Sequence, residues 1–266
     1  VVVGSGPAGI QAALTLDQYG LKVVLYEQDS ELGGQLNVAA APPHKYRIKH
    51  YRDYLQRRLQ RSGVEIVLGH KYDQDHLGVD TPDYIIVASG STSLLPPDWA
   101  DQARGKACSV NELLASPQLV DGTTVVVIGG GLTGCEAADY LAGNGKRVTL
   151  IERQGRLAAN MEKKNRRDLL NRLKENGVIT KLNSQVTAVE RGQLLVTDWQ
   201  GYSETIDPEN IVFAMGYQPN RNLYEQLRRI HPRVYLVGDA QHIGGIGAAV
   251  VQGRKVAEQI LKEDEL

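Results

Sequence analysis

Cysteine is scarce in this chain, and its scarcity excludes several kinds of site. Only Cys108 and Cys135 occur among the 266 residues, and they lie far apart. They form neither a C-x-x-C redox pair nor a zinc knuckle, so we expect no metal site. Few cysteines are typical of proteins from a reducing compartment, and we therefore expect a cytoplasmic protein.

The chain also lacks a surplus of charge and a long apolar run. Lys and Arg number 30 against 31 Asp and Glu, which gives a formal net charge of -1. Nucleic-acid-binding proteins usually carry a basic surplus, so we expect no nucleic-acid partner. No apolar run approaches the length of a membrane-spanning helix, and no signal peptide is recognisable, so we expect no membrane partner.

A repeated glycine pattern is the main positive feature of the sequence. In the first copy Gly4–Gly9 (GSGPAG) follows a valine-rich strand and precedes a predicted helix, and the next strand ends at Glu27. In the second copy Gly129–Gly134 (GGGLTG) and Glu152 occupy the same places. The first glycine and the acid are 23 positions apart in both copies, and the copies are 125 positions apart. The sequence therefore predicts two βαβ units of one design.

The pattern G-x-G-x-x-G between a strand and a helix indicates a dinucleotide site. The first glycine permits a tight turn, the second lets the backbone approach a diphosphate, and the third lets helix and strand pack closely. The diphosphate lies on unpaired N–H groups at the positive end of the helix. The terminal acid accepts hydrogen bonds from ribose hydroxyls, which assigns that role to Glu27 and Glu152.

The residues around Glu152 give conflicting indications about the second nucleotide. Its carboxylate favours NAD(H) over NADP(H), because it would repel a 2′-phosphate. Arg153 and Arg156 follow closely and could instead bind that phosphate, or lie on a solvated loop. We expect NAD(H) to be favoured.

With these motifs, the chain resembles the two-dinucleotide-binding flavoproteins, a superfamily that includes thioredoxin reductase. The further motifs occur in the family's order: a Gly-Gly-Gln segment at Gly33–Gln35, two strand ends at Ile85–Gly90 and Phe213–Asn220, and a Gly-Asp motif at Val234–Ala240. The resemblance implies an α/β fold of two Rossmann-like three-layer domains. A nicotinamide domain of residues 105–214 would be inserted into an FAD domain of residues 1–104 and 215–266.

Two segments narrow the resemblance to the NADH:flavin oxidoreductase and 2,4-dienoyl-CoA reductase family. They are Glu31–Asn37 (ELGGQLN) and Ala39–Pro43 (AAAPP). In that family this module follows a TIM barrel that carries FMN and an iron–sulfur cluster, and the barrel is not part of this sequence. The chain begins within a strand at Val1 without a methionine, so we expect a fragment whose N-terminal partner is such a barrel.

The resemblance also assigns residues to the two cofactors, FAD and NAD(H). Hydride transfer between cofactors requires no acid or base from the protein, so we assign no catalytic residue. The expected FAD-binding residues are Gly4, Ser5, Gly6, Pro7, Ala8, Glu27, Gln28, Gly34, Gln35, Leu36, Ala88, Ser89, Gly90, Gly238, Asp239 and Gly247. The expected nicotinamide-dinucleotide residues are Gly129, Gly131, Leu132, Thr133, Gly134, Glu136, Glu152, Arg153, Ala214 and Gly216.

Departures from the family leave some interpretations open. The chain lacks the C-x-x-C of thioredoxin reductase, which excludes disulfide reduction by that route, and Cys135 is expected to be a small buried residue. Glu136 lies where related enzymes place a glutamate near the nicotinamide, or it is simply a partly exposed helix residue. Two alternative functions remain: a non-catalytic module that binds ADP, as in trimethylamine dehydrogenase, and the NADPH-oxidising unit of a glutamate synthase-like enzyme.

Overall fold

The protein consists of two compact units, seen in a computed structural model that describes residues 1–42, 44–78 and 81–264. The first unit comprises Val1–Thr92 together with the chain from Gln218 onward, and the second comprises Ser93–Tyr217. The second unit therefore interrupts the first in sequence. Pro43, which ends one of the family-like segments, lies outside the described residues.

The first unit is built on a parallel sheet of five strands in the order β15-β4-β1-β2-β3. Its elements in chain order are β1 (Val2–Val3), α1 (Pro7–Gln18), β2 (Val24–Tyr26), α2 (Gln35–Ala39), α3 (Tyr46–Gln60), β3 (Glu65–Val67), a 3₁₀ turn (Gln74–Gly78), β4 (Ile85–Val87), α8 (Asn222–Leu227), β15 (Val234–Leu236), a 3₁₀ turn (Gly238–Ala240) and α9 (Ile246–Glu263). The strand Val234–Leu236 thus joins the sheet of Val2–Val3.

The second unit has its own five-stranded parallel sheet, β6-β13-β7-β8-β9, and a three-stranded antiparallel sheet, β10-β11-β12. Its elements are α4 (Pro97–Gln102), β6 (Ala107–Ser109), α5 (Val110–Ala115), a 3₁₀ turn (Pro117–Leu119), β7 (Thr124–Ile128), α6 (Leu132–Gly143), β8 (Arg147–Ile151), α7 (Lys163–Glu175), β9 (Ile179–Lys181), β10 (Ser184–Glu190), β11 (Gln193–Asp198), β12 (Ser203–Ile206) and β13 (Asn210–Phe213). The two chain crossovers, β5 (Ser91–Ser93) and β14 (Tyr217–Pro219), pair as a separate two-stranded sheet.

Equivalent residues pair within each of the two parallel sheets, which confirms the predicted α/β fold with Rossmann-like sheets. Val2 pairs with Leu25 in the first sheet, and Val127 pairs with Leu150 in the second. The central strands are apolar throughout because helices cover both faces of such a sheet, and all of Ile85–Val87 is fully buried. Among the described helices, none combines the length and apolar character needed to cross a membrane.

The second unit begins earlier in the chain than the expected start at residue 105. The physical reason is that α4 belongs to its core: the Trp99 ring lies 6.3 Å from the Phe213 ring, and Ala103 is fully buried in the same cluster. The unit also ends later than residue 214, because the Tyr217 hydroxyl donates a 3.0 Å hydrogen bond to Asn111 Oδ1.

Candidate functional site

The first glycine turn combines close packing with one open position. Gly4 has φ +102°, and a methyl group built on it would lie 2.4 Å from the Ala88 carbonyl oxygen. A methyl group on Gly9 would lie 1.9 Å from the Gly4 oxygen, whereas one on Gly6 would meet nothing within 4 Å. Gly6 is the N-cap of α1, where backbone N–H groups lack helical partners and favour an anion. The turn therefore forms a cradle that fits a diphosphate.

The second glycine turn repeats this geometry. Gly129 has φ +107°, and a methyl group on it would lie 2.4 Å from the Ala214 oxygen. A methyl group on Gly134 would lie 1.8 Å from the Gly129 oxygen, and one on Gly131 would again meet nothing within 4 Å. Gly131 is the N-cap of α6. A second anion cradle of the same construction thus lies in the second unit.

Glu27, which ends β2, is held firmly beside the first cradle. Its Oε2 accepts hydrogen bonds from the Ser5 backbone N–H at 2.7 Å and the Ser5 hydroxyl at 2.6 Å. Its Oε1 accepts from the Asp29 N–H at 3.0 Å. Burial and the neighbouring Glu27 carboxylate raise the pKa of Asp29. A carboxylate has about four lone-pair sites, so these three donors leave one site on Oε1 for a ribose hydroxyl.

Glu152, which ends β8, has matching backbone contacts. Its Oε2 accepts from the Gly130 N–H at 2.6 Å, and its Oε1 accepts from the Gln154 N–H at 2.7 Å. Gly130 replaces Ser5 and brings no hydroxyl. The second acid is also less buried than the first, since Glu152 is half-buried and Glu27 is only 6% exposed.

The segment after Glu27 returns to the first cradle. A methyl group on Gly34 would lie 3.1 Å from the Gly6 Cα, which shows how closely the two backbones approach. Gln35 Nε2 donates to the Ser91 carbonyl oxygen at 2.9 Å and to the Ser91 hydroxyl at 3.0 Å. The Ser91 hydroxyl in turn donates to Asp239 Oδ2 at 3.3 Å. One chain of hydrogen bonds therefore connects Gln35 with the aspartate of the Gly-Asp motif.

Several residues expected in the first site have side chains that contact the protein itself. Leu36 is 1% exposed and lies in the core of the first unit. The Ser89 hydroxyl donates to the Asn220 carbonyl oxygen at 2.6 Å. Ala8 faces Gly238, where an added methyl group would lie 2.9 Å from the Ala8 Cβ.

Gly247 is the second residue of α9. Pro7 is the first residue of α1, and Gln28 is exposed.

A cavity of about 580 Å³ lies in the second unit, within the size range of ligand-binding clefts. The expected residues that line it are Gly129, Gly131, Leu132, Thr133, Glu152, Arg153, Ala214 and Gly216. Two further expected residues, Gly134 and Glu136, are not among the described residues that line the cavity. Gly134 packs against the strand, and Glu136 lies about 6 Å further along the helix axis than Leu132.

Two guanidinium groups border this cavity beside Glu152. Arg153 and Arg156 both line it, and both are exposed. Over the described ranges neither guanidinium has an ion-pair partner. The cavity therefore offers one carboxylate and two free cations to a nucleotide.

Ala159 and Asn160 are among the residues that line the cavity but are absent from the expected set. The constant spacing of 125 positions extends beyond the acids, so that Leu157–Asn160 (LAAN) corresponds to Leu32–Gln35 (LGGQ). Extending the comparison of the two copies past Glu152 would have revealed them. Their role stays a proposal, argued below.

The two cysteines do not form a reactive centre. Cys135 is fully buried, as expected, and its Sγ lies 3.3 Å from the Gly130 carbonyl oxygen. Burial raises the pKa of Cys135 to about 12 and that of Cys108 to about 11. A thiol must ionise to act as a nucleophile, so neither cysteine supplies one near neutral pH.

Comparisons with known proteins agree with this geometry. Residues 1–253 match the family described as pyridine nucleotide-disulphide oxidoreductase. The chain is 38% identical to an NADH oxidase of Thermoanaerobacter brockii, over 98% of the chain and 40% of the relative. It is 31% identical to a bilirubin reductase of Mediterraneibacter gnavus, over 95% of the chain and 39% of the relative. The chain thus spans about two fifths of the length of these relatives.

Solved structures show the same fold. A 2-naphthoyl-CoA reductase in complex with 2-naphthoyl-CoA superposes with a TM-score of 0.89 at 23% identity, covering 96% of this chain and 39% of that one. A thioredoxin reductase of T. acidophilum superposes with a TM-score of 0.77 at 19% identity, covering 100% of this chain and 98% of that one. The fold is therefore shared with a chain of similar length and with part of a longer one.

Proposed function

Because the chain belongs to the pyridine nucleotide-disulphide oxidoreductase family, whose members are flavin-dependent oxidoreductases, we propose that it binds FAD in its first unit and a nicotinamide dinucleotide in its second. The observation that carries this proposal is the repeated cradle. In both units an open glycine caps a helix, and a carboxylate is held at the end of the next strand. One cradle for each dinucleotide fits a reaction between two nucleotide cofactors.

The first unit supplies the groups that would hold FAD. The N–H groups of the turn at Gly4–Ala8 would donate to the diphosphate, and Glu27 would accept from the ribose. Gln35 and Asp239, which the Ser91 hydroxyl connects, would bind the rest of the cofactor. The N-terminus of α9, near Gly247, adds partial positive charge.

The second unit would hold the nicotinamide dinucleotide, with NADH favoured over NADPH. The Glu152 carboxylate would repel a 2′-phosphate in a partly desolvated site. The name of the NADH oxidase relative supports the same preference. Arg153 and Arg156 oppose it only if their side chains turn toward the ribose.

Replacing Glu152 tests this preference. We expect Glu152→Ala to bring the second-order rate constants of flavin reduction by NADH and NADPH closer together, because the repulsion is removed while both arginines remain. Stopped-flow flavin reduction with each nucleotide measures the two rate constants. An unmodified protein that prefers NADPH, and loses this preference in Arg153→Ala, would assign specificity to the arginines instead.

The protein's contribution to the chemistry is position and electrostatics. A reduced nicotinamide and a flavin supply hydride transfer when both are bound, without an acid or base from the chain. The side chains that line the cavity orient the nucleotide and exclude water.

Reducing equivalents would then pass to a further redox centre outside this chain. The chain spans about two fifths of relatives that are named as an oxidase and a reductase. We therefore propose a barrel domain with FMN and an iron–sulfur cluster as its partner. The proposed compartment is the cytoplasm, where free thiols such as those of Cys108 and Cys135 stay reduced.

Two measurements test the proposal. The purified protein should bind about one FAD per chain, identified by its visible absorbance and by mass after release. Binding of ADP without flavin would support the non-catalytic module instead. With NADH, the FAD-loaded chain should reduce ferricyanide but not cinnamate, the compound in the name of the cinnamate reductase relative. Reduction of cinnamate by this chain alone would overturn the need for a partner domain.

A further inference from the structure

The sequence duplication extends further than the glycine turn and its acid. The residues after Glu152 correspond to those after Glu27 without a gap, and Leu157–Met161 matches Leu32–Leu36. We call these two stretches the return segments, since each folds back on its own glycine turn. Leu32 and Leu157 are equally buried, at 6% exposure.

The return segments are anchored in the same way. The Gly33 N–H donates to the Ser5 carbonyl oxygen at 3.1 Å, and the Ala158 N–H donates to the Gly130 carbonyl oxygen at 2.8 Å. A side chain from the following helix also binds each segment. Gln56 Nε2 donates to the Leu32 oxygen at 2.6 Å, and Arg166 Nε donates to the Leu157 oxygen at 2.7 Å.

The two segments differ in the amide side chain that they present. In the first, the Gln35 amide donates to Ser91 and is therefore engaged within the protein. In the second, Asn160 is exposed and lines the cavity. Over the ranges that the structure describes, the Asn160 side chain has no hydrogen-bond partner. An anchored backbone thus presents a free amide to the candidate nucleotide site.

We propose that the Asn160 side-chain amide donates a hydrogen bond to the diphosphate of the nicotinamide dinucleotide. The inference rests on the proposed function of the second unit. The diphosphate is the target because the matching first segment lies against the helix-capping glycine: a methyl group on Gly34 would be 3.1 Å from the Gly6 Cα. Asn160 follows the residue that matches Gly34, and Gly131 matches Gly6. An amide donor to a phosphate oxygen forms a charge-assisted hydrogen bond.

The test compares Asn160→Ala with a matched control, Asn165→Ala. Asn165 is an exposed residue of α7 that does not line the cavity. Calorimetric titration of FAD-loaded protein with NAD⁺, which does not reduce the oxidised flavin, and with ADP-ribose gives both Kd values. We expect Asn160→Ala to weaken both ligands roughly tenfold, the loss typical of one charge-assisted hydrogen bond. Asn160→Gln, which retains the amide, should lose less, and Asn165→Ala should lose nothing.

Each other outcome has a distinct meaning. If the wild type binds both ligands and Asn160→Ala binds them as tightly as Asn165→Ala, the inference is overturned and the proposed function stands. A loss for NAD⁺ but not for ADP-ribose would place the contact on the nicotinamide half and overturn the assignment to the diphosphate. If the wild type binds neither ligand, the proposed function itself fails. Equal thermal unfolding temperatures among the variants confirm that folding is unchanged.

Discussion

Glu27 accepts hydrogen bonds from buried donors of the protein, and it also borders the candidate FAD site. Ser5, which donates to it twice, is fully buried. Glu27→Ala leaves these donors without an acceptor. It should therefore lower the free energy of unfolding of the apoprotein by about 1–3 kcal/mol. Glu27→Gln retains an acceptor oxygen and should lose less.

Titration with FAD separates the two roles of Glu27. Because a charge-assisted hydrogen bond to the ribose is replaced by a neutral one, Glu27→Gln should bind FAD roughly tenfold more weakly than the wild type. Urea denaturation of each apoprotein provides the stability measurement. Unchanged FAD affinity in Glu27→Gln would show that this carboxylate does not bind the ribose.

Cys135 should be inert in the folded protein. Burial raises its pKa from an ordinary value of 9.0 to about 12, so folding favours the neutral thiol. The resulting stabilisation is fully present below pH 9 and is lost as the pH rises toward 12. Maleimide labelling at pH 8 should therefore be slow in the native protein and fast in urea. Equally fast labelling in both states would contradict the burial of the thiol.

For single residues, the sequence predicts the position in the fold better than it predicts the contacts of the side chain. The glycines and terminal acids were located because their backbone geometry and spacing follow one rule. The contacts of Ser5 with Glu27 and of Ser89 with Asn220 depend on side-chain rotation and on distant chain segments. A one-dimensional motif contains neither. Asn160 differs from these cases, because its position follows from the constant spacing of 125 residues between the two copies.

Within the glycine turn, the structure assigns different roles to neighbouring glycines. A methyl group on Gly9 would overlap the Gly4 backbone, whereas one on Gly6 would meet open space. Gly9→Ala should therefore destabilise the apoprotein by about 1–3 kcal/mol, as overpacking does. Gly6→Ala should change its unfolding free energy by less than about 1 kcal/mol, the range of an N-cap substitution, yet weaken FAD binding at least roughly tenfold.

Gly131→Ala and Gly134→Ala form the same pair in the second unit, with NADH as the ligand. Chemical denaturation of the apoprotein and ligand titration together measure both effects. If Gly6→Ala bound FAD normally, the diphosphate would not lie over this turn. If Gly9→Ala were as stable as the wild type, the close packing of helix and strand would be wrong.

The elements that were predicted well are the long ones with regular apolar spacing. Apolar spacing predicts helices over residues 45–61, 162–176 and 248–261, and α3, α7 and α9 lie within two residues of these ranges. The short helices α2, α4, α5 and α8 and the strands β6 and β12 are not predicted, because elements of three to six residues are too short to show a periodicity. For α5 a signal existed: Ser109 and Glu112 form a capping box, a pattern visible in sequence as S-x-x-E.

The prolines at the start of α4 give an ambiguous signal. In sequence, Pro96 and Pro97 at the end of Ser91–Pro97 indicate a crossover linker, yet Pro97 is the first residue of α4. Proline is favoured at this position because its φ suits a helix and its missing N–H is not needed there. The helix then carries Trp99 into the core of the second unit, which is why the boundary differs from the expected one.

At the scale of the whole molecule, one βαβ design is used twice with different surroundings. The strand order β4-β1-β2-β3 in the first unit corresponds to β13-β7-β8-β9 in the second. The outer strand comes from different parts of the chain, since β15 follows the second unit and β6 lies within it. The sequence predicted this duplication because glycine turns tolerate few substitutions. It did not show what fills each cradle, since the same geometry suits any dinucleotide.

The central claim is that the nucleotide in the second unit reduces the flavin in the first. Anaerobic mixing of the FAD-loaded protein with NADH in a stopped-flow instrument, followed by visible flavin absorbance, tests it most directly. We predict bleaching of the flavin by NADH, more slowly with NADPH, and little bleaching in Gly131→Ala even though that variant retains FAD. A protein that binds FAD stoichiometrically but is bleached by neither nucleotide would contradict the claim.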